Sequence, residues 1–268
     1  MCMIKKAIGV FDSGLGGLTI LKALRRALPH ENLIYFGDSA NVPYGSKSKQ
    51  AVTRFSLDIV RFLESQGVKM IVVACNTASA LALPTLRKQC RVPIIGVIEP
   101  GARKAVASTQ NGRIAVLGTE GTVKSNAYAA AILKCNPRIH IKQQACPLFV
   151  PLVEENWTKK PAALLIAQDY LASVRKHRAD TVILGCTHYP VLKKMIARVL
   201  GPEVTLVDSA QVVAQAVQNF LQKNHLQETA GKGKLTVYAS DDPARFKRLA
   251  ACLLADKITT VHLKKLNA

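Results

Sequence analysis

A short strand that ends in a cysteine occurs twice in this chain, and this repeat constrains the fold more than any other feature. The two copies are residues 71–77 (IVVACNT) and 181–188 (TVILGCTH). Each apolar, β-branched run is typical of a fully buried strand in a parallel sheet. Polar residues suited to capping a helix follow each cysteine. Because open α/β sheets bind ligands at the carboxyl ends of their strands, the repeat predicts one thiol at each of two binding edges.

Strand-like and helix-like segments alternate along the chain, which predicts an α/β fold. The strand at residues 6–11 ends in the turn DSGLGG, and the strand at residues 113–117 ends in the similar turn GTEGT. Cys186 follows Cys75 by 111 positions, and Thr119 follows Ser13 by 106. These similar offsets indicate internal duplication. We therefore expect two similar lobes, each a mostly parallel sheet flanked by helices.

The chain is long enough for two domains with their own cores, since it has 268 residues. The tripeptide Glu99-Pro100-Gly101 interrupts the pattern and marks the first expected boundary. We predict a first lobe at residues 1–98, a second lobe at 99–207, and a C-terminal segment at 208–268.

Composition restricts the class of protein. With 49% apolar and 20% charged residues, the chain is expected to be globular and soluble. No apolar run approaches the ~18–20 residues of a membrane-spanning helix, and the apolar stretch at residues 7–11 is too short for a signal peptide. We therefore expect a cytoplasmic protein without a membrane partner.

The seven cysteines form no CxxC pair, which argues against a disulfide framework and a zinc ribbon. Apart from the two at the repeated strands, we expect the cysteines to act as small buried apolar side chains. These are Cys2, Cys90, Cys135, Cys146 and Cys252.

The formal net charge of +20 favours anionic partners, which include nucleic acids, acidic membranes and anionic small molecules. The Lys and Arg residues are spread singly or in pairs, and only 5% of residues are aromatic. This pattern favours a solvated basic surface, with non-specific DNA binding at low salt.

Two loops precede helices and carry turn residues. The turn at residues 12–17 directs backbone N–H groups toward a small anion. The loop at residues 37–45 (GDSANVPYG) is either an ordinary exposed loop or a binding loop, in which Tyr44 and the Gly45 backbone offer hydrogen bonds.

Two cysteines on opposite sides of a cleft support one particular reaction. A helix N-terminus stabilises a thiolate, so the pair can hold one thiolate and one thiol. Such a pair can remove a proton from one face of a carbon and return a proton to the opposite face, which is racemisation. Three alternatives remain open: buried structural cysteines, a Cys186–His188 nucleophile pair, and a metal site of Cys75, Cys186 and His188. Residues two apart rarely face each other on a helix, which disfavours the nucleophile pair.

Four motifs together, in order and over nearly the whole chain, resemble bacterial glutamate racemases of the aspartate/glutamate racemase family. They are FDSGLGG (residues 11–17), DSANVPYG (38–45), ACNT (74–77) and GCTHYP (185–190). The resemblance implies two α/β lobes with the active site in the cleft between them, and a C-terminal segment that returns to the first lobe. It also implies an enzyme without a cofactor or metal that interconverts L- and D-glutamate and supplies D-glutamate for peptidoglycan.

The same resemblance assigns roles to individual residues. Cys75 acts on D-glutamate and Cys186 on L-glutamate, while Asp12 and His188 assist the neighbouring thiols. Glu154 assists on the second side, although Glu155 stands beside it. The substrate-binding residues implied are Asp12, Ser13, Pro43, Tyr44, Gly45, Asn76, Thr77, Thr119, Thr187 and His188.

The resemblance also implies a homodimer, and the short segment before the first strand indicates no activation by a cell-wall precursor. Two rival functions remain. One is a racemase of the same fold that acts on aspartate or another amino acid. The other is a basic nucleic-acid-associated or regulatory protein, since some members of the family inhibit DNA gyrase.

Overall fold

The computed structural model of the chain describes residues 6–253, 258 and 260–266. Its strands are β1 (Ile8–Asp12), β2 (Leu33–Gly37), β3 (Met70–Val73), β4 (Ile94–Gly96), β5 (Arg113–Gly118), β6 (His140–Ala145), β7 (Thr181–Gly185), β8 (Thr205–Asp208), β9 (Leu235–Ala239) and β10 (His262–Leu263). They form a six-stranded sheet in the order β10-β9-β2-β1-β3-β4 and a four-stranded sheet in the order β6-β5-β7-β8.

Helices lie between most of these strands and cover both sheets. They are α1 (Leu18–Ala27), α2 (Lys49–Ser65), α3 (Asn76–Leu81), α4 (Leu83–Gln89), α5 (Ile98–Ser108), α6 (Glu120–Lys124), α7 (Ala127–Cys135), α8 (Phe149–Glu154), α9 (Pro161–His177), α10 (Lys193–Leu200), α11 (Ser209–Lys223) and α12 (Pro243–Leu253), with a 3-10 turn at Tyr189–Leu192. The α/β fold with two parallel sheets is therefore confirmed.

The strands that carry the repeated cysteine motif are interior strands, each paired on both sides. β3 lies between β1 and β4, and β7 lies between β5 and β8, with parallel pairing throughout. Every residue of β1, β3 and β7 is buried, as their β-branched sequences predict. β9 pairs with β2, so a strand from the C-terminal segment belongs to the first sheet. The two domain boundaries themselves stay a prediction.

One apolar core joins the two sheets. It contains buried residues of the strands β1, β3, β5 and β7 and of the helices α1, α5, α7 and α11. The apolar stripe of α1 (Leu18, Leu21 and Leu24) is fully buried there. α11, from the C-terminal segment, contributes Val213, Val217 and Leu221. The helices between the sheets therefore fix the position of one sheet relative to the other.

Two expectations from the sequence are wrong in detail. Glu99-Pro100-Gly101 does not interrupt the structure but lies in the first turn of α5, where proline is tolerated because the N–H it lacks has no helical partner. Cys135 is exposed and Cys90 is half-buried, whereas Cys146 is buried as expected. Cys135 is the last residue of α7 and therefore lies at the end of its helix.

Two further cysteines cannot be scored, because Cys2 and the side chain of Cys252 lie outside the described residues. Across the part of the chain that the structure describes, no helix is both long and apolar enough to cross a bilayer.

The shared core predicts that α11 matters for the stability of the whole chain. Leu221→Ala removes a fully buried side chain of α11 and should lower the free energy of unfolding by about 2–5 kcal/mol. Leu165→Ala on α9 is the matched control, since Leu165 is 65% exposed, and should change it by less than about 0.5 kcal/mol. Urea denaturation followed by circular dichroism measures both values. Equal midpoints for the two variants would show that α11 is not part of a common core.

Candidate active site

A cavity of about 180 Å³ lies where the carboxyl ends of the two sheets meet. It is smaller than the roughly 300–1,000 Å³ of sites for drug-sized ligands, so it suits a small metabolite. Its lining residues are Ser13, Val42, Pro43, Tyr44, Gly45, Ser46, Cys75, Asn76, Thr77, Thr119, Glu120, Pro147, Val150, Pro151, Cys186, Thr187 and His188.

The cavity brings together almost all of the residues that the sequence singles out. Both Cys75 and Cys186 line it, one from each sheet. Asp12 and Glu154 do not line it but contact residues that do, as the hydrogen bonds to Thr187 and His188 show. Among the described residues, no three His, Cys, Asp or Glu side chains are grouped as metal ligands.

Cys75 follows β3 and caps the N-terminus of α3. Its Sγ accepts a hydrogen bond from the backbone N–H of Ala78 at 3.4 Å, and its side chain is almost fully buried. Burial, reinforced by the charge of Asp12, raises the pKa of the Cys75 thiol to about 12. The N–H donor at the helix N-terminus lowers this pKa, as expected, but the loss of solvation outweighs it. Cys75 is therefore a protonated thiol at neutral pH.

Asp12 ends β1 and is fully buried. One carboxylate oxygen accepts from the N–H of Gly14 at 3.1 Å, and the other accepts from the Thr187 hydroxyl at 3.3 Å. Burial raises the pKa of this carboxyl group, while the charge of His188 opposes that shift. Because Thr187 follows β7, this hydrogen bond connects the two sheets across the cleft.

His188 lies between Cys186 and Glu154. Its Nδ1 is 3.8 Å from Cys186 Sγ, and its Nε2 is 3.1 Å from Glu154 Oε1. Burial lowers the pKa of His188, but its hydrogen bonds to Cys186 and Glu154 and the nearby negative charges outweigh this effect and raise the pKa to about 10. His188 is therefore an imidazolium at neutral pH, adjacent to the Cys186 sulfur.

The contact between Cys186 and His188 corrects the expectation that these residues would not face each other. Residues 186–188 form a bend and a turn before the 3-10 segment, so helical spacing does not apply to them. The structure also separates the two adjacent glutamates. Glu154 is the partner of His188, whereas Glu155 is exposed.

Hydroxyl groups cross the cleft beside the cysteines. Thr77 Oγ1 lies 2.9 Å from Thr119 Oγ1, which in turn lies 3.0 Å from the hydroxyl of the fully buried Thr122. The described lining of the cavity contains Ser, Thr, Tyr and Asn side chains but no Lys or Arg. Hydroxyl and amide groups, together with the His188 imidazolium, would therefore hold the charged groups of a ligand.

The loop at residues 37–45 lies against the cavity through Pro43, Tyr44 and Gly45. The Tyr44 hydroxyl donates to Asp38 Oδ2 at 2.5 Å, so its proton already forms a hydrogen bond within the loop. The Gly45 carbonyl accepts from the N–H of Gly121 at 3.0 Å. A Cβ at Gly45 would lie 2.7 Å from Thr119 Cβ, which explains why glycine is needed where the loop meets the second sheet.

Several lining residues were not predicted from the sequence, namely Val42, Ser46, Glu120, Pro147, Val150 and Pro151. The last three follow β6, whose carboxyl end faces the cleft. The position of that strand in a parallel sheet was the available signal.

The His188–Glu154 contact predicts a measurable titration. Glu154→Gln removes a negative hydrogen-bond partner and should lower the pKa of His188 from about 10, because the imidazolium loses its stabilisation. NMR of the His188 ring across pH 5–11 measures the midpoint. Glu155→Gln removes the neighbouring exposed carboxylate and should leave the midpoint unchanged. Equal His188 titration midpoints in the two variants would contradict the pairing of His188 with Glu154.

Comparison with known proteins agrees with this geometry. The profile of the Asp/Glu/Hydantoin racemase family matches residues 10–217. A glutamate racemase from Geobacter metallireducens is 51% identical over 98% of this chain and 98% of its own length.

Solved structures give the same result. The glutamate racemase of Thermus thermophilus, in complex with β-chloro-D-alanine, has a TM-score of 0.89 and 46% identity over 98% of each chain. The glutamate racemase of Francisella tularensis, in complex with D-glutamate, has a TM-score of 0.93 and 36% identity, also over 98% of each chain. Sequence, fold and cleft therefore place this chain among the amino-acid racemases, as a member of the Asp/Glu/Hydantoin racemase family in its glutamate racemase group.

Proposed function

We propose that the chain interconverts L- and D-glutamate by a two-base mechanism without a cofactor. One observation carries the proposal: Cys75 and Cys186 end strands of two different sheets and line the same small cavity. In this mechanism Cys186 acts on L-glutamate and Cys75 on D-glutamate, on opposite faces of the α-carbon.

The two thiols occupy unequal environments, which supports the one-thiolate, one-thiol state that the reaction needs. Cys75 holds its proton because burial raises its pKa to about 12. Cys186 lies beside a protonated His188, which offers its sulfur a positive charge and a hydrogen-bond donor. In the proposed reaction Cys186 accepts the α-proton of L-glutamate, and Cys75 delivers its own proton to the other face. D-glutamate follows the reverse path, with the protonation states of the sulfurs exchanged.

Removal of the α-proton develops negative charge on the carboxylate, which fixed donors must stabilise. Thr77 and Thr187 line the cavity close to the two cysteines and carry suitable N–H and O–H groups. These groups are buried, so they need little rearrangement when the charge develops. Asp12 lies behind the cavity wall on the Cys75 side, whereas His188 lines the cavity on the Cys186 side, and in this proposal each assists the neighbouring sulfur.

Glutamate is the preferred substrate in this proposal because the similar proteins of nearly the same length are glutamate racemases. The lining hydroxyl and amide groups, which both donate and accept, together with the His188 imidazolium, also fit a substrate with two carboxylates and one ammonium group. Supply of D-glutamate for peptidoglycan, a cytoplasmic location and a homodimer remain predictions of the family resemblance.

Substitution of either cysteine tests the mechanism. Cys75→Ser and Cys186→Ser should each lower kcat/KM for racemisation by about 10²–10⁴-fold, since general acid–base catalysis contributes that much. Cys146→Ser is a matched control, because Cys146 is a fully buried cysteine that does not line the cavity. Circular dichroism of L- and D-glutamate measures the rates. Near-native rates for either site variant would contradict the proposal.

A substrate panel separates the proposal from its nearest rival. Purified protein is given each enantiomer of glutamate and of aspartate, with no added cofactor. Racemisation of glutamate in preference to aspartate supports the proposal. Racemisation of aspartate alone would leave the fold and the chemistry intact and would show that the substrate is wrong.

A further inference from the structure

The side-chain amide of Asn76 has a buried donor without a protein partner. Asn76 is 2% exposed, it lines the cavity, and within the described part of the chain its Nδ2 has no hydrogen-bond partner. A buried N–H group without a partner costs free energy. An acceptor on a ligand in the cavity would remove that cost.

The other end of the same amide is held from the second lobe. The hydroxyl of Tyr128, on α7, donates to Asn76 Oδ1 at 2.7 Å. Tyr128 is fully buried, and burial raises the pKa of its phenol, so the phenol stays a protonated donor. Asn76 is the first residue of α3, which follows the first sheet's β3, whereas α7 follows the second sheet's β5. This hydrogen bond therefore connects helices that belong to different sheets.

The Tyr128 ring lies close to two glycines. A Cβ at Gly185, the residue before Cys186, would lie 3.2 Å from Tyr128 Cε2 and 2.6 Å from the Leu117 carbonyl oxygen. A Cβ at Gly101, on α5, would lie 3.5 Å from Tyr128 Cε1 and from its hydroxyl oxygen. The ring is therefore held between α5 and the end of β7, and its hydroxyl has a fixed direction.

We propose that Tyr128 is a positioning residue, which orients the Asn76 amide so that its NH₂ group donates to a carboxylate of the substrate. The two ends of an amide are nearly the same size, so their shape alone does not select an orientation. With the amide turned over, its oxygen would face the substrate carboxylate, and the Tyr128 proton would lose this acceptor. This inference rests on the proposed function, which supplies the carboxylate.

Tyr128→Phe tests the role because it removes only the hydroxyl group. KM for both enantiomers should rise about tenfold, the order expected for a hydrogen bond to a charged group, while kcat should stay within about threefold. In an Asn76→Ala background the same change should alter KM by less than about twofold, because the amide it orients is gone. Tyr170→Phe removes a hydroxyl group on α9, outside the cavity lining, and its KM and kcat should match those of the native protein.

Binding supplies a readout that does not depend on turnover. Calorimetry with D-glutamate should show about tenfold weaker binding to Tyr128→Phe. In the native protein, addition of D-glutamate should shift the NMR signals of the Asn76 side-chain NH₂ group. The signals that are missing in Asn76→Ala give their assignment. This measurement tests the inference even if Tyr128→Phe does not fold.

Three results would overturn the inference: a native KM in Tyr128→Phe, an equal loss in the Asn76→Ala background, or unshifted NH₂ signals on binding. A native protein that neither binds nor racemises glutamate would instead refute the proposed function.

Discussion

The burial of ionisable groups at the carboxyl ends of β3 and β7 is the constraint on which the rest of the site depends. Cys75, Cys186, Asp12 and His188 are all buried there, although each can carry a charge. A buried thiolate is costly unless donors and positive charge replace its water. The groups available to stabilise a thiolate differ between the two sulfurs. Cys75 Sγ accepts from a backbone N–H, whereas Cys186 Sγ lies beside the His188 imidazolium, which in turn contacts Glu154. The two sulfurs therefore occupy unequal environments before any substrate binds.

These groups are buried because the two sheets meet closely through small residues. A Cβ at Gly16 would lie 2.2 Å from Thr187 Oγ1, so only glycine allows the first turn to approach the second sheet this closely. The hydrogen bonds from Thr187 to Asp12 and between Thr77 and Thr119 cross the same boundary. Behind them, the core formed with α1, α5, α7 and α11 holds the sheets in place. The geometry of the cleft is thus a property of the whole fold and not of one loop.

Features set by local sequence could be predicted. The β-branched runs before Cys75 and Cys186 predicted buried parallel strands, and the structure contains them as interior strands of the two sheets. The glycine-rich turn at residues 12–17 predicted a site at the end of the first strand, and Ser13 lines the cavity. The strand predictions are confirmed, because backbone period and side-chain type determine strands within a few residues, whereas a ligand at the glycine-rich turn stays a prediction.

Features set by contacts between distant residues could not be predicted. Glu154 and Glu155 are equivalent in the sequence, and only the packing of α8 shows which one meets His188. The sequence marked Tyr44 as a ligand donor, but its hydroxyl is held by Asp38. Tyr128 is 52 positions from Asn76, and no local pattern connects them. The raised pKa of Cys75 likewise depends on burial, which a strand pattern does not quantify.

The central claim is that two different sulfurs handle the proton on the two faces of the α-carbon. The most direct test starts native protein on L-glutamate in D₂O and measures α-deuterium in each enantiomer at low conversion, by mass spectrometry after chiral separation. The two-base account predicts D-glutamate that carries deuterium from the first turnovers, beside recovered L-glutamate that retains its proton. Protium retained in the D-glutamate, or equal deuterium in both enantiomers from the earliest times, would indicate a single base and contradict the account.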